Sequence, residues 1–325
     1  MALMHLAARH AAAHHLPPPV VLTVDHGLRR GSGADTRRVV AWARALGLKA
    51  HILAWKGPKP ATGIEAAARQ ARYRLMGDWM RKHHLSILGV GHTQDDQAET
   101  FLLRLARGSG VDGLAAMAPR APWPLPGFSG LSLVRPLLGL ARADLRAFLE
   151  ASGREWLEDP MNEDLAFDRV RVRAAAGALG EAGLTPARIA AAAVHLARAR
   201  AALEDVTQAV LARAVRPVEP APLEPGKEQG LLLDATALAA APREVGLRAL
   251  AAVLMAVSGA AYRPRFEALE RLFDRIAAGK LGGGATLMGC HIGPAGRGAG
   301  SAGILLVRRE APRRSGSKSG SGTGA

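Results

Sequence analysis

"ILGVGHTQDDQAETFLLRLARGSGVDGLAAM", residues 87–117, changes its pattern part-way along. From Leu85 to Val90 the run is short and apolar, as in a buried strand. From about Asp95 to Arg107, Ala98, Phe101, Leu102 and Leu105 recur at helical spacing and predict the buried stripe of a helix. Asp96, Thr100, Arg104 and Arg107 follow one another along its polar face. His92 and the adjacent acids Asp95 and Asp96 therefore stand where a strand turns into a helix, and this is the end of a parallel sheet at which ligands bind. A purely structural reading competes: Thr93 caps the helix, and the acids complement its macrodipole for ~0.3–1 kcal/mol each. Capping explains Thr93 and one acid, but not the whole string of His92, Asp95, Asp96, Gln97 and Glu99.

Outward from this junction the alternation continues. "VVLTV" at 20–24 reads as a strand, about Asp35–Leu46 as a helix, Ala50–Trp55 as a strand and about Thr62–Lys82 as a helix. Strands separated by helical crossovers predict an α/β fold: a doubly wound parallel sheet covered on both faces. The Pro- and Gly-rich "PRAPWPLPGFSGLSLVRPLLGL", residues 119–140, reads as a surface excursion. Thr185 as N-cap and Pro186 at the first helical position open a long Ala-rich helix. The later segments predict a smaller, mainly helical domain that ends in a hairpin over "GGGATLMGCHIG" and "GILLVRRE". The expected division is 1–175 for the catalytic domain and 176–311 for a helical substrate-binding region. A linker near 215–230 and a disordered basic tail over 312–325 complete it.

The chain has 325 residues, 43 Lys and Arg against 28 Asp and Glu, and a formal net charge of +15. Clustered cations gain affinity for polyphosphates by releasing counterions, so a nucleic-acid partner is expected over a merely solubilising surface. The single cysteine, Cys290, rules out an intramolecular disulfide and a thiolate-rich metal site. The first helix is too short and too often interrupted by His5, Arg9 and His10 to span a bilayer. The expectation is a cytoplasmic protein without membrane contact, and a homodimer remains open.

The string "GHTQDDQAETFLLRLARGSGVDGL", residues 91–114, resembles the corresponding stretch of the tRNA(Ile)-lysidine synthetases, a family of the PP-loop ATP pyrophosphatase superfamily. "TVDHGLR" at 23–29, "EAAARQARYRLM" at 65–76, "VRPLL" at 134–138 and "WLEDPMNEDLAFDRVRVR" at 156–173 resemble further motifs of that family. Two positions depart from the pattern: Met161 stands where the family has a small Ser or Thr, and Val170 where it has Asn. The resemblance implies an adenine nucleotide alpha hydrolase-like fold. It also implies ATP-dependent ligation of L-lysine to C2 of the wobble cytidine in a tRNA(Ile) with a CAU anticodon, through an O2-adenylated intermediate, so that AUA is read instead of AUG.

That chemistry fits the residue types. Lysine's amine has a pKa near ~10.4, so a site that uses it as a nucleophile must hold a cation and remove a proton. Paired carboxylates do both. Asp95 and Asp96 are therefore the candidates for lysine and Mg²⁺ handling, with Asp96 nearest the base role. His92 is expected to position phosphate or cytidine, and Arg72 to steady developing negative charge. Asp25 and His26 end a strand beside the expected ATP pocket, although a turn at Gly27 would also account for them. Arg69, Arg104, Arg107, Arg169, Arg171 and Arg173 are the candidates for tRNA contacts, the last three sharing one face if extended. Solvated surface is the competing reading for these arginines, and core or rim packing for Trp55, Trp79 and Trp156.

The resemblance further implies a glycine-rich S-G-G-x-D-S loop whose backbone N–H groups cradle the phosphates of ATP. "MALMHL" at residues 1–6 resembles the helix that follows that loop, so the catalytic domain is expected to be N-terminally incomplete as given, without the first strand and loop. Two readings compete: a start upstream of Met1 and a complete ligase, or an N-terminally truncated, catalytically inactive tRNA-binding homologue. The intact remaining motifs favour the first.

Overall fold

Pro17, Pro18 and Pro19 stop the first helix, α1 (Ala2–Ala13), and the β-branched run behind them forms β1 (Val21–Asp25). The computed structural model describes residues 1–158, 168–218, 230–260, 262–296 and 303–310. The packing divides the chain into Met1–Ala199 and the residues from Arg200 onward.

In the first unit, α2 (Ser32–Ala45) crosses from β1 to β2 (Ala50–Ala54), which lies parallel to it with Val21 opposite Ala50. Next come α3 (Ile64–Lys82), β3 (Ile87–Gly89), α4 (Gln94–Ala106) and the single turn α5 (Val111–Leu114). β4 (Arg120–Pro122) and β5 (Ser132–Val134) follow, β5 parallel to β3 and β4 antiparallel to β5. The unit continues through α6 (Arg142–Ala151), α7 (Asp168–Ala174), α8 (Ala176–Glu181) and α9 (Pro186–Ala214), within which the division falls. Thr185 Oγ1 accepts from the Arg188 N–H at 3.4 Å, which is the cap expected from the sequence.

The pairs β1–β2 and β3–β5 are parallel with helices between their strands, as expected, but β4 joins antiparallel and the strands form two ladders, β1–β2 and β3–β5–β4. Leu22 of β1 and Leu88 of β3 nevertheless pack on one core of Tyr73, Met80, Trp123, Phe128, Leu131 and Leu133. β1, β2 and β3 each have a strand partner on one side only, and they bury little: Ile87 is 54% exposed and Ile52 41%.

The segment 119–140 corrects the expectation of a surface excursion. It supplies two strands of the sheet, and Trp123, Phe128, Leu131 and Leu133 are buried. Aromatic and leucine side chains spaced between prolines fill this core without any helical or strand period to reveal them. Gly77 on α3 makes room for them, because a Cβ there would stand 2.6 Å from the Phe128 ring.

In the second unit, β6 (Val215–Pro217), β7 (Leu231–Asp234), α10 (Ala235–Ala239), α11 (Arg243–Ser258), α12 (Phe266–Ala277), β8 (Ala285–Leu287), β9 (Cys290–Pro294) and β10 (Ile304–Arg309) follow. The helices were expected. The C-terminal segments, read as a hairpin, are three strands of a five-stranded sheet in the order β6-β7-β10-β9-β8, and every neighbouring pair is antiparallel. Its core joins Leu250, Leu254, Leu272 and Phe273 to Leu233, Ile292 and Val307. Cys290 is fully buried there, as a small apolar side chain would be. The stretch expected as a linker begins with β6, and 219–229 lie outside the described residues, as do Met161 and the tail over 312–325.

Candidate active site at the carboxyl ends of β1 and β3

Four residues past β3 the backbone reaches Thr93, whose extended conformation starts α4. The Thr93 hydroxyl and N–H donate to Asp96 Oδ2 at 2.7 and 2.8 Å, and Thr93 Oγ1 accepts from the Asp96 N–H at 3.4 Å. This is a capping box with Asp in the third helical position. The structural reading of one acid is thus realised, but it leaves the others to be explained. Asp95 Oδ2 accepts the backbone N–H of Arg142 at 2.7 Å, so it caps α6, whose own N-cap Ala141 has no side chain able to do so. Glu99, only 4% exposed, receives both Nε and Nη2 of Arg173, at 2.5 and 3.1 Å, and Nη2 of Arg142 at 3.3 Å. Asp96 Oδ1 meets the same Arg142 nitrogen at 3.4 Å.

The buried side of α4 therefore differs from the expected apolar stripe. Gln97, Ala98, Glu99 and Thr100 face inward while Leu105 is 51% exposed. Gln97 and Glu99 are tolerable there because they are paired, Gln97 through two 2.8 Å hydrogen bonds with the Met117 backbone, whereas Thr100 Oγ1 is buried without a hydrogen-bond partner among the described residues. Burial raises the Asp96 pKa, but the Thr93 hydroxyl and N–H, with Arg142, outweigh it and hold the carboxyl below its ordinary value.

His92 is half-buried, and its Nδ1 accepts from Arg135 Nε at 3.3 Å. Burial, together with the charges of Arg135, Arg169 and Arg69, brings its pKa down to about 4 against the opposing pull of Asp96. The ring is therefore neutral at pH 7, with its proton on Nε2 and free to be donated. Arg135 is itself 8% exposed and anchored on the Ala118 carbonyl at 2.7 Å.

At the end of β1, Asp25 Oδ1 accepts the Ser32 hydroxyl at 2.7 Å and the Gly27 N–H at 3.0 Å, and these two bonds lower its pKa. Gly27, at φ +60°, makes the turn that an L side chain would strain. His26 Nε2 accepts from Arg72 Nε at 3.4 Å, which leaves the ring proton on Nδ1. That Nδ1 is buried without a hydrogen-bond partner among the described residues. Trp55, at the end of β2, meets the His26 ring edge-on at 6.1 Å and carries Lys59 Nζ 3.9 Å from its ring centre.

The two halves meet through arginines, since Arg69 and Arg169 act electrostatically on both His92 and Arg72. Arg69 also lies over the Tyr73 ring at 5.0 Å. Arg169, Arg171 and Arg173 do not alternate on an extended strand, because α7 is a helix. Its 3.6-residue period separates Arg171, which pairs with Asp168, from Arg169 and Arg173, which stand one turn apart. The side chain of Arg107 is exposed and bonded to Asp168 at 2.9 Å. Arg104 is engaged with the carbonyls of Gly113 and Ala116, at 2.8 and 3.0 Å. Arg135 belonged to a quoted motif without an assigned role, while Arg142 and Lys59 carried no signal in their spacing.

Carboxylates at one edge and cations around a neutral imidazole suit an ammonium group beside a polyanion. The unpartnered, protonated His26 Nδ1 and the nearby Arg72 fit a phosphate or nucleoside acceptor such as ATP offers. Among the described residues no three His, Cys, Asp or Glu side chains gather as metal ligands. Mg²⁺ retains several waters and needs only one or two carboxylates besides substrate phosphates, so the Asp95–Asp96 pair suffices.

Residues 1–177 match the PP-loop domain family. The tRNA(Ile)-lysidine synthase of Methylobacterium nodulans is 43% identical over 93% of this chain and 85% of its own. That of a Bradyrhizobium species is 40% identical over 89% and 80%, and that of Wolbachia pipientis is 34% identical over 94% and 67%.

Proposed function

Because the chain belongs to the PP-loop family, and within it to the tRNA(Ile)-lysidine synthases, we propose that the carboxylates at the start of α4 bind and deprotonate the lysine that is ligated. The protein is an ATP-dependent tRNA-modifying ligase that joins lysine to C2 of the wobble cytidine. ATP, tRNA(Ile) and lysine are its substrates. We further assign it a CAU anticodon, Mg²⁺ as the accompanying ion, and a two-step course in which adenylation of the cytosine O2 precedes attack by the amine.

The observation that carries this assignment is the unequal commitment of the two acids. Asp96 gives both oxygens to Thr93 and Arg142 and is held ionised, which makes it a fixed negative charge for the lysine ammonium and a weak base. Asp95 spends one oxygen on the Arg142 N–H. The base role expected for Asp96 therefore passes, in this proposal, to Asp95, which takes the ammonium proton so that the amine lone pair attacks C2 as AMP leaves. His92 donates a hydrogen bond from its Nε2–H to an oxygen of the nucleotide without carrying charge. Arg72 and Arg169 offset negative charge that develops on the leaving AMP, and Arg69 and Arg171 contact the tRNA backbone. No helix among the described residues is long and apolar enough to cross a membrane.

The test separates the two acids. Asp95→Asn keeps an oxygen for the Arg142 N–H, so it should leave the fold intact and slow lysine transfer ~10²-fold or more. Retention of the wild-type transfer rate would refute the base assignment.

A further inference from the structure

Tyr262 and Phe266 are 84% and 59% exposed, more than any other large hydrophobic side chain among the described residues. They stand four residues apart on the connection between α11 and α12, in the sequence "YRPRF" over 262–266. Arg263 and Arg265 alternate with them and are also exposed. Phe266 opens α12, whose buried stripe is Leu269, Leu272, Phe273 and Ile276. Its spacing from Leu269 and Phe273 continues that stripe by one turn, yet the ring remains outside the core. Core packing thus explains neither aromatic.

The start of the connection is held in place from within its own unit. Gly259 ends α11 in a left-handed conformation, φ +72°, and its N–H donates to the Met255 carbonyl at 2.9 Å. Arg309 Nη2, from β10, donates to the Ser258 carbonyl at 2.6 Å, and the Ala260 N–H donates to Ser258 Oγ at 3.2 Å. Pro264 adds a fixed φ between the two arginines. Glu267, in the first turn of α12, lies within 3.9 Å of Arg271. Two exposed rings thus follow an anchored helix end, with positive charge between them.

We propose that this connection is a second RNA-binding surface of the protein, at which Tyr262 and Phe266 stack on unpaired bases of the tRNA while Arg263 and Arg265 meet the flanking phosphates. Aromatic faces with interleaved cations take single-stranded nucleotides irrespective of sequence, and the chain's net charge of +15 complements a polyanion. The proposal rests on tRNA being the substrate and adds where, outside the active site, that substrate is gripped.

The experiment uses the full chain and a tRNA(Ile) transcript. Binding is measured at several salt concentrations, beside steady-state lysine ligation, for the wild type, Tyr262→Ala/Phe266→Ala, Arg263→Gln/Arg265→Gln and the ring-preserving Tyr262→Phe/Phe266→Tyr. The alanine pair should weaken binding and raise the KM for tRNA at least about tenfold, with kcat unchanged. The glutamine pair should reduce the salt slope by about one per arginine, and the ring-preserving pair should behave as wild type. Unchanged affinity in the alanine pair would overturn the proposal. So would a shift in its sedimentation from dimer to monomer without loss of RNA binding, which would assign the surface to a second copy of the chain. A wild type that binds tRNA but transfers no lysine would refute the ligase assignment alone, and the affinities would still decide this one.

Discussion

At the residue scale the site consists of charges whose surroundings fix their state. His92 shows this best. In the unfolded chain a histidine titrates near ~6.5, whereas here the pKa is about 4. Between those values the unfolded state binds more protons, so the contribution of His92 to stability is constant above pH 7 and is lost as the pH falls from about 6.5 to 4. The loss amounts to as much as about 3 kcal/mol. Urea unfolding from pH 7 to pH 4 should therefore show the wild type losing stability relative to His92→Gln, and parallel curves would contradict it. Asp96→Asn should cost about 0.5–2 kcal/mol through the capping box as well as activity, a combination that Asp95→Asn should not show in a thermal melt. The sequence revealed His92, Asp95 and Asp96 together because they are contiguous at a strand–helix junction. It did not reveal Arg142, which meets Asp96 and Glu99 from a different helix. A contact between residues 43 and 46 positions apart leaves no trace in a local period.

At the element scale, helices and strands with a clean period were legible, and those shaped by close packing were not. α12 places Leu269, Leu272, Phe273 and Ile276 on one face, as its sequence says. The segment 119–140 has no period, and its aromatics are buried only because α3 presents a glycine to them. Gly77→Ala should accordingly cost about 1–3 kcal/mol, because the Phe128 and Trp123 rings would have to move from a packed core. A melting temperature equal to wild type would show that this contact yields freely. α7 teaches the same lesson through charge. Its alternating arginines suggested an extended segment, but the bidentate pairing of Arg173 with buried Glu99 draws the chain into a helix against α4. Side-chain chemistry at long range overrode a local alternation.

At the scale of the whole molecule, composition pointed to the partner class and the motifs to the reaction. Forty-three basic residues against 28 acidic ones do not specify which nucleic acid is bound, but they do require that binding weaken with salt. The logarithm of the tRNA affinity should fall linearly with log salt between about 50 and 200 mM, and an affinity indifferent to salt would remove the electrostatic part of the account. The second unit was recognised by its helices, whereas its five-stranded sheet stayed hidden in short glycine-rich segments, where three- to six-residue strands have little room for a pattern. The central claim is the ligation itself. Incubation of the protein with labelled lysine, ATP, Mg²⁺ and a tRNA(Ile) transcript bearing CAU should place label on the wobble cytidine, with one pyrophosphate released per lysine and no label when that cytidine is replaced by uridine. Label that appears without ATP, or equally on the uridine transcript, would contradict the account, as would pyrophosphate release without any lysine on the tRNA.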